Sequence, residues 1–170
     1  MKKIIYFIFI FSITSNFYCQ NLTLDELIDL RKNEIADIEE FVTRKNWTFL
    51  SASKPIDNKL GKVVFTFNKS VNDDKAECFL TYLYVDKTTR LKLQFINKEK
   101  YNEYLKRLKP LGFKLAISKV KDDAIVKIYQ EIGTTIEIII SSKIENNITK
   151  TSYNLIIATT DDYLANLLEE

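Results

Sequence analysis

Asn97–Leu115, NKEKYNEYLKRLKPLGFKL, predicts one helix followed at once by a strand. Asn97 can cap the helix because its side-chain oxygen can accept from a backbone N–H of the first turn. Apolar side chains then recur at steps of three and four residues, which is typical of a helix that buries one side. They are Tyr101, Tyr104, Leu105 and Leu108. Gly112 can adopt the left-handed conformation that ends a helix.

The residues before this segment predict a similar helix and a similar end. Thr23 and Glu26 have the spacing of a capping box, in which each side chain bonds the backbone of the other. A helix is therefore expected from Leu24 to about Lys45. Asn46 can end it in the left-handed conformation, as Gly112 does later.

Each predicted helix end is followed by four strand-like runs and then by another helix start. The runs are 47–50, 62–68, 76–85 and 89–96 in the first half, and 113–120, 124–130, 134–142 and 152–159 in the second. We therefore predict an α+β fold with an antiparallel sheet of seven to eight strands and helices on one face. It would comprise two α-β-β-β-β halves, about 22–96 and 97–170, plus a C-terminal helix that Thr160 caps. The halves predict an internal duplication.

This element order is similar in broad layout to duplicated helix-plus-sheet inhibitors such as the β-lactamase inhibitory proteins. The resemblance is one of element order alone, because the sequence carries no motif of that family.

Residues 1–20 have the layout of a secretory signal peptide, with Lys2 and Lys3 before a short apolar run. That run is about half the length that a bilayer span needs, so we expect no transmembrane span in the mature chain. Cleavage after Cys19 would give a mature start at Gln20 and a single domain, 21–170, that is periplasmic or secreted by a bacterium. Acylation of Cys19 is the rival interpretation. Losing both lysines takes the formal net charge from +2 to zero, which argues against nucleic acid as a partner.

The composition offers little for catalysis. The chain has no histidine, which removes the Ser-His-Asp and Cys-His systems and the usual zinc ligands. Its three glycines are too far apart for a phosphate-binding loop. Acidic pairs at 73–74, 122–123 and 161–162 suit turns and a helix start better than a carboxylate site. We therefore predict a protein that is not an enzyme and that uses no cofactor or metal. Cys78 is expected to be buried, with a reactive thiol as the alternative.

The remaining candidate site is a set of residues on the face of the sheet that the helices would leave bare. With Phe79, Leu83 and Val85 directed inward, the alternation of side chains places two tyrosines outward. The predicted partner-binding residues are Tyr82, Tyr84, Arg90, Lys92, Gln94, Lys127, Tyr129 and Glu137. Tyrosine and arginine are enriched in protein interfaces.

This pattern predicts an exported, non-catalytic protein-binding module, of the inhibitor or immunity type, with a partner in the cell envelope or outside the cell. One alternative is a structural or self-associating envelope domain, which leaves a homodimer open. The other is a small-ligand carrier with a pocket between Trp47, Phe49 and the long helix.

Overall fold

The computed structural model describes residues 21–56, 59–70, 76–86, 88–145 and 147–167. The predicted signal peptide, with Cys19, lies outside these residues. The helices are α1 (Leu24–Leu30), α2 (Ile35–Arg44), α3 (Lys98–Leu108) and α4 (Thr160–Asn166). The strands are β1 (Thr48–Ser53), β2 (Gly61–Lys69), β3 (Ala76–Val85), β4 (Thr88–Phe95), β5 (Lys114–Lys121), β6 (Ala124–Glu131), β7 (Thr134–Glu145) and β8 (Ile148–Thr159).

The eight strands form one antiparallel sheet in the order β1-β2-β3-β4-β8-β7-β6-β5. Each half of the chain contributes a meander of four consecutive strands, and the two meanders meet where β4 pairs with β8. The predicted α+β class, the number of strands and the C-terminal helix are confirmed. No helix among the described residues is long and apolar enough to cross a membrane.

The two halves match at specific backbone positions. Asn46 ends α2 with a φ of 64°, and Gly112 follows α3 with a φ of 88°, both in the left-handed region. A β-bulge interrupts β1 between Phe49 and Ser51, and another interrupts β5 between Leu115 and Ile117. These two strands are the edges of the sheet, and a bulge makes an edge a poor template for another chain. The matched positions support the internal duplication, which stays a prediction.

The single long helix predicted from Leu24 to about Lys45 is wrong, because the chain breaks after α1 and restarts at α2. Residues between the two helices instead bond the sheet: the Tyr82 hydroxyl donates to the Asn33 carbonyl at 3.2 Å, and Thr89 Oγ1 donates to the Arg31 carbonyl at 3.0 Å. A continuous helix would use these carbonyls internally. At the break, hydrogen bonds within a helix are replaced by hydrogen bonds from side chains of β3 and β4, which hold α1 and α2 against the sheet.

The main core lies between the sheet and the first three helices, on what we call the helix face. One row of directly paired residues crosses it, and all five are buried: Phe65, Leu80, Leu93, Leu155 and Ile138. Residues paired across antiparallel strands share a face, so this row fixes the direction of every neighbouring side chain. Leucines of α1, aliphatic residues of α2 and tyrosines of α3 pack onto it.

Helix α4 packs on the opposite face of the sheet, which we call the open face. Tyr163 of α4 forms a second, smaller core with Val126, Ile128 and Ala158. Val126 and Ile128 alternate along β6 with residues that point to the helix face. The C-terminal helix is thus the only described element on the open face, and it covers part of β6 to β8. The predicted placement of the helices on one face therefore holds for α1 to α3 but not for α4.

Candidate functional site

The structure corrects the predicted direction of the two tyrosines of β3. Tyr82 is 5% exposed and pairs with Leu91, so both lie on the helix face. Its ring stacks on that of Tyr84 with centroids 6.0 Å apart. Burial raises the pKa of the Tyr82 hydroxyl. The prediction that these tyrosines point outward is wrong, and Tyr82 contributes to the packing under α1 and α2.

Lys127 and Tyr129 also lie on the helix face, in the second half. Tyr129 is half-buried and packs against the main core. Lys127 Nζ donates to the Tyr101 hydroxyl at 3.2 Å and lies 6.0 Å from the centre of that ring. The predicted outward direction of both side chains is therefore wrong, because α3 reaches over β6.

The other four predicted residues do lie on the open face. Lys92 and Glu137 both pair with Ile156 of β8, so the three residues form one row across β4, β8 and β7. Gln94 lies in the next row, opposite Asn154. Arg90 continues the same side of β4. The structure thus brings together Arg90, Lys92, Gln94 and Glu137, and separates them from the tyrosines.

The open face also carries apolar side chains, and the predicted inward direction of Phe79, Leu83 and Val85 is wrong. Phe79 pairs with Gln94, and Leu83 pairs with Arg90, so both share the face of the charged residues of β4. Val64 and Ile156 extend the same surface into β2 and β8. These side chains are half-buried by their neighbours in the sheet. The uncovered part of the open face is therefore a mixture of apolar, amide and cationic groups.

Helix α4 is fastened to the open face by an ion pair, which a further side chain of the helix supports. Arg90 Nε and Nη2 donate to the two carboxylate oxygens of Asp162, at 2.7 and 2.9 Å, and Asn166 Nδ2 donates to the same carboxylate at 2.9 Å. Burial alone would raise the pKa of the Asp162 carboxyl, but these hydrogen bonds outweigh it and lower the pKa. Thr159 Oγ1 caps the helix by accepting from the Asp162 amide, so the cap lies one residue before the predicted Thr160.

A second contact joins α4 to the middle of β7. The Tyr163 hydroxyl donates to Glu137 Oε1 at 3.3 Å. Burial, with the charge of Glu137 beside it, raises the pKa of the Tyr163 hydroxyl. The hydroxyl therefore remains a donor throughout the physiological range, and it holds the Glu137 side chain against the helix.

A groove of about 360 Å³ lies where the end of α4 meets the sheet. Its floor is formed by Val126, Ile139 and Ile156, and Leu167 of α4 borders it. Lys119, Lys121 and Asp122 also line it, as do Ala124 and Glu137. Sequence reasoning missed this groove because it depends on which face α4 covers. The one available signal was the alternation of lysines with apolar residues along β5.

The described residues offer no arrangement typical of metal binding. No group of three or more Cys, Asp or Glu side chains in the described part of the chain is placed to hold a metal ion. Cys78 is completely buried on the helix face, as the preferred interpretation of the sequence expected. Trp47 is buried too, with its ring 5.4 Å from that of Phe67 and its indole N–H bonded to Asn21 Oδ1. It therefore fills the core at the place where a ligand pocket was an alternative.

Comparison with protein-family models, with curated proteins and with solved structures finds no match to this chain.

Proposed function

We propose that this protein is an exported, non-catalytic binding module whose protein partner docks on the uncovered part of the open face. The observation that supports the proposal most is that this part of a broad sheet is bare of every described element, while the helix face is packed under three helices. A bare sheet face that carries contiguous apolar side chains is typical of an interaction surface.

The composition of the surface supports a protein as the partner. The apolar centre of the interface would be supplied by Phe79, Leu83, Val64 and Ile156. Its polar rim would be supplied by Lys92 and Gln94. Interfaces combine an apolar core with a polar rim in this way. Arg90 is excluded from direct contact in this proposal because Asp162 already engages it.

The test requires a partner captured from the envelope or the medium of the producing cells, purified, and titrated with matched variants. The double variant Phe79→Ala/Lys92→Ala alters the open face. Ile144→Ala/Lys106→Ala is the control, because both of its side chains are exposed elsewhere. We expect the first variant to raise the dissociation constant by about tenfold or more, because it loses a central apolar anchor. The control variant should change it little. Equal affinities for the two variants would contradict the proposal.

A second candidate function is self-association, and one observation favours it. Val120 and Ile125 are paired at the β5 edge of the helix face and are 77% and 45% exposed, and Leu115, further along β5 on the same face, is 52% exposed. A second copy could cover them. Sizing chromatography of the mature protein and of Val120→Lys distinguishes the cases: a dimer that the substitution dissociates would support self-association, and a monomeric mature protein would exclude it at the concentration used.

A further inference from the structure

The groove beside α4 has an apolar floor that the described residues leave open to solvent. Val126 and Ile139 are directly paired, and Ile156 lies on the neighbouring strand, so the floor is continuous across β6, β7 and β8. Leu167 borders the groove from the helix side. Its volume of about 360 Å³ is near the lower end of the range of about 300–1,000 Å³ found for small-molecule sites. An unbranched chain would fit this space better than a bulky ring system.

The charges that line the groove are separated along it. Lys119 pairs with Val126, and Val126 pairs with Ile139, which places Lys119 at the β5 side of the floor. Lys121 follows two residues later on the same face, away from Glu137. Glu137 lies on β7, two strands across and two residues along from the row of Lys119, on the order of 12 Å away by ordinary sheet spacings. One end of the groove is therefore cationic and the other anionic.

Three groups determine which end would receive an anionic head group. Glu137 repels an anion at its own end, and the carbonyl groups at the end of α4 add partial negative charge near Leu167. Asp122 lies at the lysine end and offsets one of the two positive charges there. Among the described residues that line the groove, the lysine end still carries one more positive than negative charge.

We propose that this groove binds an amphipathic carboxylate of medium chain length, with its chain on Val126, Ile139 and Ile156 and its head group beside Lys119 and Lys121. An apolar floor with a few polar groups at one end is the usual composition of such sites. The groove shares Ile156 with the proposed docking surface, but its two lysines and the anchor residues Phe79 and Lys92 can be changed separately, so failure of one proposal is distinguishable from failure of the other.

The experiment compares three probes with the same ten-carbon chain: decanoate, decanol and decylamine, each titrated calorimetrically into the mature protein below its micelle concentration. We expect decanoate to bind at least tenfold more tightly than decylamine, with decanol between them. Amide chemical shifts should change at Lys119, Lys121 and Ile139 on addition of decanoate. Equal affinities for the three probes, tighter binding of decylamine, or shift changes elsewhere would overturn the proposal.

Charge reversal gives a second test. In Lys119→Glu/Lys121→Glu we expect the order of decanoate and decylamine to invert, since the lysine end becomes anionic while the floor is unchanged. Lys98→Glu/Lys109→Glu, on and just after α3, makes the same change in net charge on the other side of the molecule and should leave the order as it was. If both double variants change the order alike, the net charge rather than the groove selects the probe, and the proposal fails.

Discussion

Arg90 of β4 and Asp162 of α4 form a doubly hydrogen-bonded ion pair whose side chains are only 11% and 6% exposed. It joins the last strand of the first meander to the C-terminal helix. Because little solvent reaches the pair, either partner left alone would be a poorly hydrated charge.

Replacing Asp162 with Asn should destabilise the protein by about 3 kcal/mol, because Arg90 would keep its charge without a counter-ion. Urea unfolding at neutral pH measures the loss. Asp161→Asn removes the same charge from the same first turn, where Asp161 is exposed, and should cost far less. Equal losses would indicate that only the charge at the helix start matters.

The same pair predicts a pH dependence. The folded pKa of Asp162 is lowered from the ordinary 3.8, so its contribution to stability is present above about pH 4 and is lost as pH falls through the folded value. The difference in unfolding free energy between the wild type and Asp162→Asn should therefore shrink as pH is lowered from about 5 to about 2.5. A difference that grows in acid would contradict this assignment.

Tyr82 and Leu83 are neighbours on β3 that point to opposite faces. Tyr82→Ala should cost on the order of 3–5 kcal/mol, because it empties buried space under α1 and α2. Tyr82→Phe should cost about 1 kcal/mol, since it removes only the hydrogen bond to Asn33. Leu83→Ala, on the open face, should cost less than Tyr82→Ala. Chemical denaturation measures the loss in unfolding free energy for the three variants. A larger loss for Leu83→Ala than for Tyr82→Ala would indicate that Leu83, and not Tyr82, lies on the helix face.

Gly61 and Gly133 should respond differently to substitution by alanine. A Cβ on Gly61 would lie 2.7 Å from Pro55 Cδ, 2.9 Å from the Pro55 nitrogen and 2.8 Å from Tyr84 Cζ, so the backbone of Pro55 would have to move. Gly133 has open space around it but a φ of 73°. Gly133→Ala should therefore cost about 1–2 kcal/mol from the left-handed conformation alone. Gly61→Ala should destabilise the protein more than Gly133→Ala does. Thermal melting of the two variants measures the difference, and a lower melting temperature for Gly133→Ala would contradict it.

Cys78 should be protected from thiol reagents in the folded protein. It is completely buried on the helix face between Phe67 and Phe95, with which it is paired. Reaction with Ellman's reagent should be slow in buffer and complete within the mixing time in denaturant, because access requires opening of the sheet. The unfolding rate, measured separately by fluorescence, provides the reference for the native reaction. Rapid reaction of the native thiol would favour the alternative of a reactive cysteine.

The face of the sheet to which each side chain points was predictable in strands that have only one apolar face. In β4, Leu91, Leu93 and Phe95 alternate with Arg90, Lys92 and Gln94, and the structure places the two sets as expected. In β3 both faces carry apolar residues, so periodicity alone could not choose between them. The deciding signal was polar: Glu77 and Thr81 share their face with Phe79 and Leu83, which marks that face as the wetter one.

The position of α4 and the break between α1 and α2 depend on tertiary contacts. Nothing local to residues 31–34 predicts which sheet side chains will bond their carbonyls, although a run of charged and polar residues interrupts the apolar stripe there. The second half is harder still, because α4 covers Val126 and Ile128 while α3 reaches Tyr129. With both faces of β6 partly covered, its sequence shows no clean alternation, and the groove could not be foreseen.

All sheet pairings except that of β4 with β8 join strands that are consecutive in the chain. Short loops close at little entropic cost, so each meander can assemble from local hairpins, whereas joining the two must wait for the last strand. During synthesis from the N-terminus, Leu91–Phe95 would be an unpaired sheet edge until Tyr153–Ile157 has been made. We expect this interval to be the period of greatest aggregation risk for the newly made chain, and chaperone protection to be needed most there.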